Sequence, residues 1–555
     1  MSSLTTGIDA GEPVHGEPPH PLLLRALSDP ATYGAGGDEV AVHETHASVV
    51  FVCGPRAYKI KKAVSLGFLD YGTLARRHAA CREEVRVNSE LAPGVYLGVR
   101  AIVATARGLQ LAPEDTPGAI EYAVEMRSFR EADTLAGLIE GGVLRSEHLR
   151  AVARRLAAFH RLTPGVAGGA PADVLAMWQA NVRALADLAA SLAGGWEVQL
   201  AVGFGEAFVR AHAGELERRR KEGLVRDGHG DLRCEHVLAV PEVRIVDRVE
   251  FDPALRHTDI ACDLAFLTMD LEAQGQRWAA RELAGAYRRE GMDPGSEELL
   301  AFYAAHRALV RAKVALVTAA ERDGEARARQ LARARTLWDL GERLCWRARA
   351  PLALVICGPA ASGKSTLAGE LARRSGLHVA SSDELRKSAA GLARAERAAP
   401  EHYSAQATRN TYERLGQQAG RLLERERGVI VDATCRSRAH RALLFRRLER
   451  EGLTRLVVRC EVPLEVALER AASRMRAASV SDATPQVVAE QNRSYEALEE
   501  LPAETVLTLD AQRSLEDQVA EVTGAVDRLL AHHTPPDSGQ SADAADAPAA
   551  EHLTR

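Results

Sequence analysis

Residues 352–366 read LALVICGPAASGKST, and this stretch decides the fold of the C-terminal half of the chain. The run before Gly358 is short and apolar, which is typical of a buried strand. The loop has the spacing G-x-x-x-x-G-K-S, and residues 367–372 continue it with the apolar spacing of a helix. A nucleoside triphosphate needs these parts in this order, because backbone N–H groups and the positive end of the helix dipole then face its phosphates.

The loop predicts a role for each residue type that it contains. Lys364 reaches the β- and γ-phosphates, and the Ser365 hydroxyl is a ligand for Mg²⁺. A chance loop rich in glycine and serine is the alternative, which the flanking strand and helix disfavour. The predicted ATP-binding residues of this loop are Gly358, Pro359, Ala360, Ala361, Ser362, Gly363, Lys364, Ser365 and Thr366.

The composition bears on the class of partner. The chain has 555 residues, of which 46% are hydrophobic and 26% charged, and its formal net charge is −5. A length of this order indicates about three or four folded units. The near-neutral charge and the low aromatic content, 5%, argue against a large nucleic-acid interface.

The cysteines and the apolar runs bear on the compartment. The eight cysteines form no C-x-x-C pair and no Cys/His cluster with metal-ligand spacing, which is typical of reduced thiols in a cytosolic protein. No apolar run approaches the roughly 20 residues that a membrane helix needs. The first 17 residues lack the apolar core of a signal peptide. We therefore expect a cytoplasmic protein that does not associate with a membrane.

Strands alternate with helices after the loop, which predicts a parallel sheet covered by helices on both faces. The predicted segments are strands at 377–381, 429–432 and 456–460 and helices at 408–425, at 464–475 and after Pro485. Ligands of such sheets bind at the carboxyl ends of the strands. Gly358, Asp383 and Asp432 all lie at such ends.

Two acidic residues at this edge suggest phosphoryl-transfer chemistry. Asp383 and Arg386 form D-x-x-R, in which the carboxylate takes a proton from an acceptor hydroxyl and the arginine holds a polar or anionic group of the acceptor. A helix-capping Asp with a solvent-facing Arg is the alternative. Asp432 has the position of an acid that binds Mg²⁺ through water beside a P-loop.

A second set of chemical groups lies in the N-terminal half. Residues 47–53 and 57–61 predict a β-hairpin whose second strand carries two lysines on one face. A charged helix is predicted at 73–91. Further on, residues 228–238 read GHGDLRCEHVL and residues 243–251 read VRIVDRVEF. These two stretches place Asp231 and Asp247 at the edges of apolar, strand-like runs.

Two carboxylates at such junctions divide the work of phosphoryl transfer. One accepts the proton of the attacking hydroxyl, and the other holds Mg²⁺ on the triphosphate. The alternative is that Asp231 and Asp247 only form turns.

The H-G-D of residues 229–231 followed by I-V-D at 245–247 resembles the aminoglycoside phosphotransferase branch of the protein-kinase-like fold, and the hairpin fits the small lobe of that fold. The resemblance implies that Asp231 is the catalytic base and Asp247 the Mg²⁺ ligand. His236 stands where the family has an asparagine that binds a second Mg²⁺.

The same resemblance implies further roles. Lys59 would bind the phosphates and pair with Glu84, with Lys61 and Glu83 as the competing residues. Asp263 matches a buried aspartate that braces the catalytic loop. The glycine-rich phosphate loop of the family is missing, and residues 44–48, ETHAS, stand in its place.

Arginines near residue 470 suggest a lid. Arg470 and Arg474 are four residues apart on a predicted helix and so share a face. The segment resembles the arginine-bearing lid of small P-loop kinases, which closes over the γ-phosphate. A plain amphipathic helix is the alternative.

Residues 40–530 as a whole resemble the bacterial family of bifunctional aminoglycoside phosphotransferase/ATP-binding proteins. Their P-loop part is similar to that of polynucleotide 5′-hydroxyl kinases, zeta-toxin-type kinases and gluconate kinases. The resemblance implies an α+β protein-kinase-like domain at 21–345 and an α/β P-loop domain at 346–532. We expect residues 1–20 and 533–555 to be disordered.

We therefore expect an ATP-dependent phosphotransferase that uses ATP and Mg²⁺ at two sites and acts on a hydroxyl of a sugar-like or aminoglycoside-like small molecule. A nucleic-acid 5′-hydroxyl kinase is one alternative. A regulatory ATP-binding protein with a degenerate kinase-like domain is another.

Overall fold

The structure of the protein, a computed structural model, describes residues 21–33, 39–45, 47–66, 69–106, 108–192, 198–393, 396, 399–476 and 484–532. The disorder predicted at both chain ends falls outside these ranges. The chain divides into two compact units. The first unit is Met1–Gly169 with Arg219–Gly295, and the second unit is Ala170–Arg218 with Ser296–Arg555.

Up to residue 169 the chain forms α1 (Pro21–Leu27), β1 (Val40–Glu44), β2 (Ser48–Cys53), β3 (Arg56–Lys61), β4 (Ser65–Leu66), β5 (Leu69–Asp70), α2 (Leu74–Asn88), β6 (Tyr96–Thr105), β7 (Gly108–Pro113), β8 (Ala119–Arg127), α3 (Leu135–Glu140) and α4 (Ser146–Leu162). The middle of the chain forms α5 (Pro171–Leu192), α6 (Val198–Ala211), α7 (Ala213–Lys221), β9 (Val225–Asp227), β10 (Val237–Leu238), β11 (Arg244–Ile245), β12 (His257–Asp259), α8 (Ile260–Ala273), α9 (Arg277–Arg289), α10 (Glu297–Ala320) and α11 (Gly324–Ala348).

The remaining elements are β13 (Leu352–Cys357), α12 (Lys364–Ser375), β14 (Val379–Ser381), α13 (Ser382–Ala389), α14 (Ala405–Glu426), β15 (Gly428–Asp432), α15 (Arg438–Phe445), β16 (Thr454–Glu461), α16 (Leu464–Arg476), α17 (Pro485–Arg493), β17 (Val506–Asp510) and α18 (Leu515–His532). None of the helices in the described ranges combines the length and the apolar character that a membrane span requires.

An antiparallel sheet forms one side of the first unit, with six strands among the described residues in the order β1-β2-β3-β8-β6-β7. The predicted hairpin is confirmed as β2 and β3, in which Val50 pairs with Lys59. Tyr58 and Ile60 are buried among apolar side chains on one face of the sheet. Because side chains alternate along a strand, Lys59 and Lys61 lie on the opposite face, against which α2 packs.

The second unit contains a parallel sheet in the order β14-β15-β13-β16-β17 within the described residues, as the sequence predicted. The strand that leads into the P-loop, β13, is central and fully buried. Its side chains alternate between two apolar cores: Leu354 and Ile356 pack on one side of the sheet, and Val355 and Cys357 on the other. The sheet is therefore covered on both faces.

Among the described residues, the second unit includes helices that precede the P-loop: α5, α6, α10, α11 and residues 213–218 of α7. α10 packs along α11, α5 packs against α6 and α10, and α6 packs against α18. Trp178 of α5 stacks on Phe302 of α10 at a ring distance of 4.7 Å. These helices lie in the range that the sequence assigns to the kinase-like domain. The predicted domain bounds, 21–345 and 346–532, stay a prediction. In the structure, these helices belong to the same unit as the P-loop.

One buried ion pair holds this helical layer to the P-loop part of the second unit. Arg349 donates to both carboxylate oxygens of Asp527, with Nε to Oδ1 at 2.7 Å and Nη2 to Oδ2 at 2.9 Å. Its guanidinium also lies over the rings of Phe204 and Trp346, at 4.3 and 4.9 Å. Arg349 is 2% exposed, so loss of either partner leaves a buried charge without its counterion.

Arg349→Met is predicted to lower the free energy of unfolding by about 3 kcal/mol or more, because it strands the Asp527 carboxylate. Arg329→Met is the matched control, since Arg329 pairs with Glu325 on the surface and is 71% exposed. The control should cost about 0.5 kcal/mol or less. Urea unfolding of both variants measures the difference, and equal losses would contradict the assignment.

Candidate functional site

The P-loop contains three residues with positive φ angles, two of them glycines. Gly358 and Gly363 have φ angles of 133° and 97°, and Ala361 between them has φ 65°. A Cβ atom on Gly358 would lie 2.5 Å from the carbonyl oxygen of Cys460. Position 358 therefore requires glycine both for its backbone angle and for its space. α12 begins at Lys364, directly after the loop.

The side chains at the start of α12 meet the end of β15. The Ser365 hydroxyl donates to Asp432 Oδ2 at 2.6 Å. The Lys364 ammonium donates to the carbonyl oxygen of Pro359 at 2.6 Å, within the loop itself. Ile356 of β13 and Asp432 of β15 are register partners in the sheet, which explains why the loop and the acid lie side by side.

The charge environment of Asp432 is set by burial and by neighbouring acids. Burial raises the pKa of Asp432, and the carboxylates of Asp383 and Glu384 raise it further, while Lys364 and the Ser365 hydroxyl oppose the rise. Ionised Asp432 is therefore disfavoured by the fold itself. A cation bound at this point would relieve that cost.

Asp432→Asn is predicted to raise the unfolding midpoint at pH 8, because the native pKa of Asp432 lies above its unfolded value and its ionisation opposes folding. The gain should shrink as the pH falls toward the ordinary aspartate pKa of about 3.9, where the native carboxyl is already protonated. The same variant should lose the stabilisation that Mg²⁺ with AMPPNP gives the parent. Thermal unfolding between pH 5 and 8 measures both effects, and a lower midpoint at pH 8 would contradict the account.

Asp383 and Arg386 differ in accessibility. Asp383 is exposed at the start of α13, at the same sheet edge as Asp432. Arg386 is buried and donates to the carbonyl oxygen of His402 at 2.8 Å, and its guanidinium lies 4.4 Å from the Tyr403 ring. Arg386 thus holds the segment before α14 in place. Its predicted contact with an acceptor stays a prediction.

The two predicted lid arginines lie on α16. Arg470 donates from Nη2 to the carbonyl oxygen of Ala511 at 3.1 Å. A Cβ atom on Gly363 would lie 3.7 Å from Arg470 Nη1, so this guanidinium stands beside the P-loop. The backbone of Arg474 belongs to the last turn of α16, and its side chain lies outside the described part of the chain.

Gln491, which was not among the predicted site residues, contacts the P-loop. Gln491 of α17 accepts a hydrogen bond through Oε1 from the backbone N–H of Ala360, at 2.8 Å. Beside it lies a cavity of about 500 Å³, lined among others by Ala360, Glu461, Asn492 and Gln512. A carboxamide oxygen on a P-loop amide occupies a donor that a phosphate oxygen needs. No sequence motif marks Gln491, because its contact depends on tertiary packing.

Gln491→Ala is predicted to tighten the binding of Mg²⁺ with AMPPNP about fivefold, because binding then no longer breaks a hydrogen bond worth about 1 kcal/mol. Gln486→Ala, on an exposed position of the same helix, is the control and should leave the affinity unchanged. Isothermal titration calorimetry measures both. Weaker binding by the first variant would mean that Gln491 contacts the nucleotide instead of competing with it.

The first unit brings its predicted phosphate-binding residues together. Lys59 Nζ lies 2.8 Å from Glu84 Oε1 and 2.7 Å from Asp247 Oδ1. Packing around Asp247 would by itself raise the pKa of its carboxyl, but the Lys59 ammonium holds that pKa well below its ordinary value. Asp247 also has φ 62°, a conformation in which residues other than glycine are strained and which is frequent at functional sites.

The competing lysine serves a neighbouring role. Lys61 Nζ lies 2.5 Å from Glu84 Oε2 and pairs with Glu250, which also accepts a hydrogen bond from the Tyr71 hydroxyl at 2.7 Å. Lys61 is 1% exposed. Lys59 therefore contacts Asp247 and one carboxylate oxygen of Glu84, and Lys61 contacts the other oxygen of Glu84. No sequence motif marks Glu250 or Tyr71.

The alternative acid, Glu83, points away from this cluster. It forms a surface ion pair with Arg86, with Oε1 2.6 Å from Nη2. Glu84, by contrast, is fully buried between the two lysines. Of the two candidates that the sequence left open, Glu84 is the one that contacts Lys59.

The loop that carries Asp231 is held by buried groups. Asp263 accepts hydrogen bonds from the backbone N–H groups of His229 and Gly230, at 2.5 and 3.0 Å, which confirms its predicted bracing role. Burial lowers the pKa of His229 to about 4, so its ring is neutral. Its Nε2 donates to the carbonyl oxygen of Val246 at 2.9 Å, and its Nδ1 accepts from the N–H of Asp231 at 3.2 Å.

Asp231 and His236 lie on this loop beside Asp247. His236 Nε2 is 3.5 Å from Asp247 Oδ2, and its Nδ1 is 2.8 Å from the carbonyl oxygen of Asp231. Arg233 contacts Asp231 Oδ2 through Nη2 at 2.9 Å. The structure therefore brings Asp231, His236, Asp247 and Lys59 into one cluster within the first unit.

Mg²⁺ prefers oxygen ligands, and the candidate residues differ in the atoms that they offer. Ser365 and Asp432 offer oxygen atoms only, which suits Mg²⁺, and Asp247 likewise offers carboxylate oxygens. His236 offers a nitrogen, which suits Mg²⁺ less well. Among the described residues, no three His, Cys, Asp or Glu side chains come together as a ready-made metal cage. Mg²⁺ in nucleotide sites is usually held by one or two carboxylates with substrate phosphates and water, so the residues fit at Ser365/Asp432 and at Asp247.

Comparison with known proteins supplies the family. Residues 354–498 match the model of an AAA domain family, AAA_33. Uncharacterized protein Rv2004c of Mycobacterium tuberculosis (strain ATCC 25618 / H37Rv) is 32% identical to the chain over 464 residues, which cover 81% of this chain and 89% of that protein. This chain belongs to the same family. Uncharacterized protein Mb2027c of Mycobacterium bovis (strain ATCC BAA-935 / AF2122/97) matches this chain to the same extent, with 32% identity over 464 residues.

Parts of the chain are similar to solved structures of other proteins. A gluconokinase from Sinorhizobium meliloti 1021 is 21% identical and covers 33% of this chain and 95% of its own, with a TM-score of 0.25. The APS kinase CysC of Mycobacterium tuberculosis, in complex with AMPPNP and APS, is 23% identical over 32% of this chain and 98% of its own, with a TM-score of 0.25. A choline/ethanolamine kinase family protein from Mesorhizobium loti is 13% identical over 58% of this chain and 99% of its own, with a TM-score of 0.34.

Proposed function

We propose that the protein is an ATP-dependent phosphotransferase that moves the γ-phosphoryl group of ATP to a hydroxyl of a sugar-like or aminoglycoside-like small molecule. One observation carries the proposal: a P-loop whose Ser365 hydroxyl bonds to Asp432, with the exposed Asp383 carboxylate at the same edge of the sheet. Nucleotide binding alone needs no exposed carboxylate there, whereas transfer to a hydroxyl needs a group that accepts the proton.

The chain's own residues divide the work of the transfer. The P-loop amides and Lys364 hold the triphosphate, and Asp383 takes the proton as the acceptor oxygen bonds to the γ-phosphorus. The bond from that phosphorus to the β,γ-bridging oxygen breaks, and ADP leaves with the electron pair. Arg470, beside Gly363, neutralises charge on the migrating group. Mg²⁺, when bound at Ser365 and Asp432, supplies further charge neutralisation.

The acceptor side of the proposal rests on charge and composition. A formal charge of −5 and few aromatic residues give no support to a nucleic-acid acceptor. A small hydroxyl compound is therefore the preferred substrate. Because one fold serves many substrates, the acceptor has to be identified by assay.

A second ATP site in the first unit completes the proposal, in a kinase-like fold of the aminoglycoside phosphotransferase type. There Lys59 and Glu84 hold the phosphates, Asp247 is the Mg²⁺ ligand and Asp231 the base. The ion chain from Lys59 to both Glu84 and Asp247 supports this assignment.

A regulatory ATP-binding role for the first unit is the second candidate. One observation favours it: Arg233 donates to the Asp231 carboxylate, with Nε and Nη2 at 3.0 and 2.9 Å. This ion pair engages a carboxylate oxygen that a catalytic base would use to accept the proton. ATP binding by the first unit without any Asp231-dependent transfer would support this reading.

Asp383→Asn is predicted to lower phosphoryl transfer about 100-fold or more while leaving nucleotide affinity nearly unchanged, because it removes the proton acceptor only. Lys364→Ala should abolish nucleotide binding at the same site. Glu384→Gln, the neighbouring exposed carboxylate, is the matched control and should retain turnover within about threefold.

The assay follows transfer of labelled γ-phosphate to a panel of sugars, sugar acids, aminoglycosides and a 5′-hydroxyl oligonucleotide. Transfer to the oligonucleotide alone would replace the proposed substrate class. Unchanged turnover of Asp383→Asn would remove Asp383 from the mechanism.

A further inference from the structure

Arg233 occupies the centre of the catalytic cluster in the first unit. Its Nε and Nη2 lie 3.0 and 2.9 Å from Asp231 Oδ2, its Nη1 pairs with Glu235, and its Nη2 is 3.0 Å from His236 Nε2. The side chain is 13% exposed. One largely buried cation therefore contacts both the predicted base and the residue in the second metal position.

The protonation of His236 follows from these contacts. A guanidinium group only donates hydrogen bonds, so His236 Nε2 accepts from Arg233. The ring proton then sits on Nδ1, which donates to the carbonyl oxygen of Asp231 at 2.8 Å. His236 Nε2, which lies 3.5 Å from Asp247 Oδ2, is thus already engaged by the positive charge of Arg233.

We infer that Arg233 takes the place of a second divalent cation, so that the first unit binds ATP with a single metal ion, held by Asp247. The inference rests on the proposed nucleotide site in the first unit and goes beyond it by fixing its metal stoichiometry and naming a phosphate-binding arginine.

Three properties of the cluster support this inference. A second Mg²⁺ at His236 would find a nitrogen ligand in place of the oxygen it prefers. A Mg²⁺ ion at His236 would also lie next to the Arg233 guanidinium, because Arg233 Nη2 is 3.0 Å from His236 Nε2. Two positive charges so close together repel each other strongly in a partly buried site. Asp247 differs in its ligand atoms and in its exposure, because it offers carboxylate oxygens and its side chain is 43% exposed.

The guanidinium group can also do what the missing ion would do. Its positive charge is permanent and delocalised over a planar group, whereas a histidine is charged only when it is protonated. The permanent charge of Arg233 would thus neutralise the γ-phosphoryl group without a metal.

The test counts Mn²⁺ bound per nucleotide by electron paramagnetic resonance, with full-length protein in excess over AMPPNP. All proteins carry Lys364→Ala, which removes the P-loop site. This Lys364→Ala parent should bind about one Mn²⁺ per AMPPNP. Adding Arg233→Met and His236→Asn together, which removes the cation and supplies an oxygen ligand, should raise the count to about two.

Arg86→Met is the matched control, because Arg86 pairs with Glu83 on the surface and is 66% exposed. It should leave the count at one. Circular dichroism establishes that each variant is folded, and if the double variant is not, the count of the parent decides.

Two Mn²⁺ per nucleotide in the parent, or a folded double variant that stays at one, would overturn the inference while leaving the nucleotide site in place. Absence of Mn²⁺–AMPPNP binding in the parent would overturn the inference together with the first-unit site. The P-loop activity would be unaffected by that result, since it is measured with Lys364 intact.

Discussion

The hydrogen bond from the Ser365 hydroxyl to Asp432 joins the first turn of α12 to the end of β15, the two parts of the second unit that the proposed phosphoryl transfer uses. It forms because β13 and β15 are parallel neighbours, so that the loop after one strand and the last residue of the other reach the same sheet edge. The same topology places α13, with Asp383, at that edge through β14. The position of each chemical group thus follows from strand order.

In the first unit, the charged Lys59 lies in a largely buried position and is paired with acidic residues. Glu84 has no exposed surface, and each of its two oxygens contacts one lysine. Glu250 pairs with the inner lysine, Lys61, and the Tyr71 hydroxyl donates a hydrogen bond to Glu250. Lys59 is thereby left to bridge Glu84 and Asp247. A buried charge is tolerated when it is paired in this way, and the pairing fixes where the ammonium points.

The sequence predicted those features that local patterns determine. The apolar run before Gly358, the glycine spacing and the helical segment after it give strand β13, the loop and α12, because each depends on residues close in the chain. The hairpin and the face of Lys59 follow from the two-residue period of a strand. Of the charged helix predicted at 73–91, residues Leu74–Asn88 form α2.

Features that depend on distant contacts were not predictable in this way. Gln491 and Arg233 belong to no sequence motif, and their roles depend on the residues that folding brings next to them. The D-x-x-R spacing marks Arg386, but its contacts with His402 and Tyr403 come from residues that folding brings to it. The helices α5 and α6 lie far from the P-loop along the chain, and their packing partners α10 and α18 belong to the second unit. Which buried partner wins such a contact is decided by the whole fold.

We propose that each unit binds one nucleoside triphosphate through its own lysine and Mg²⁺ ligands. Isothermal titration calorimetry of the full-length protein with AMPPNP and Mg²⁺ tests it most directly. The account predicts two equivalents bound by the parent, with one lost in Lys364→Ala and the other lost in Lys59→Ala. A parent that binds no nucleotide, or a stoichiometry that Lys364→Ala leaves unchanged, would contradict it.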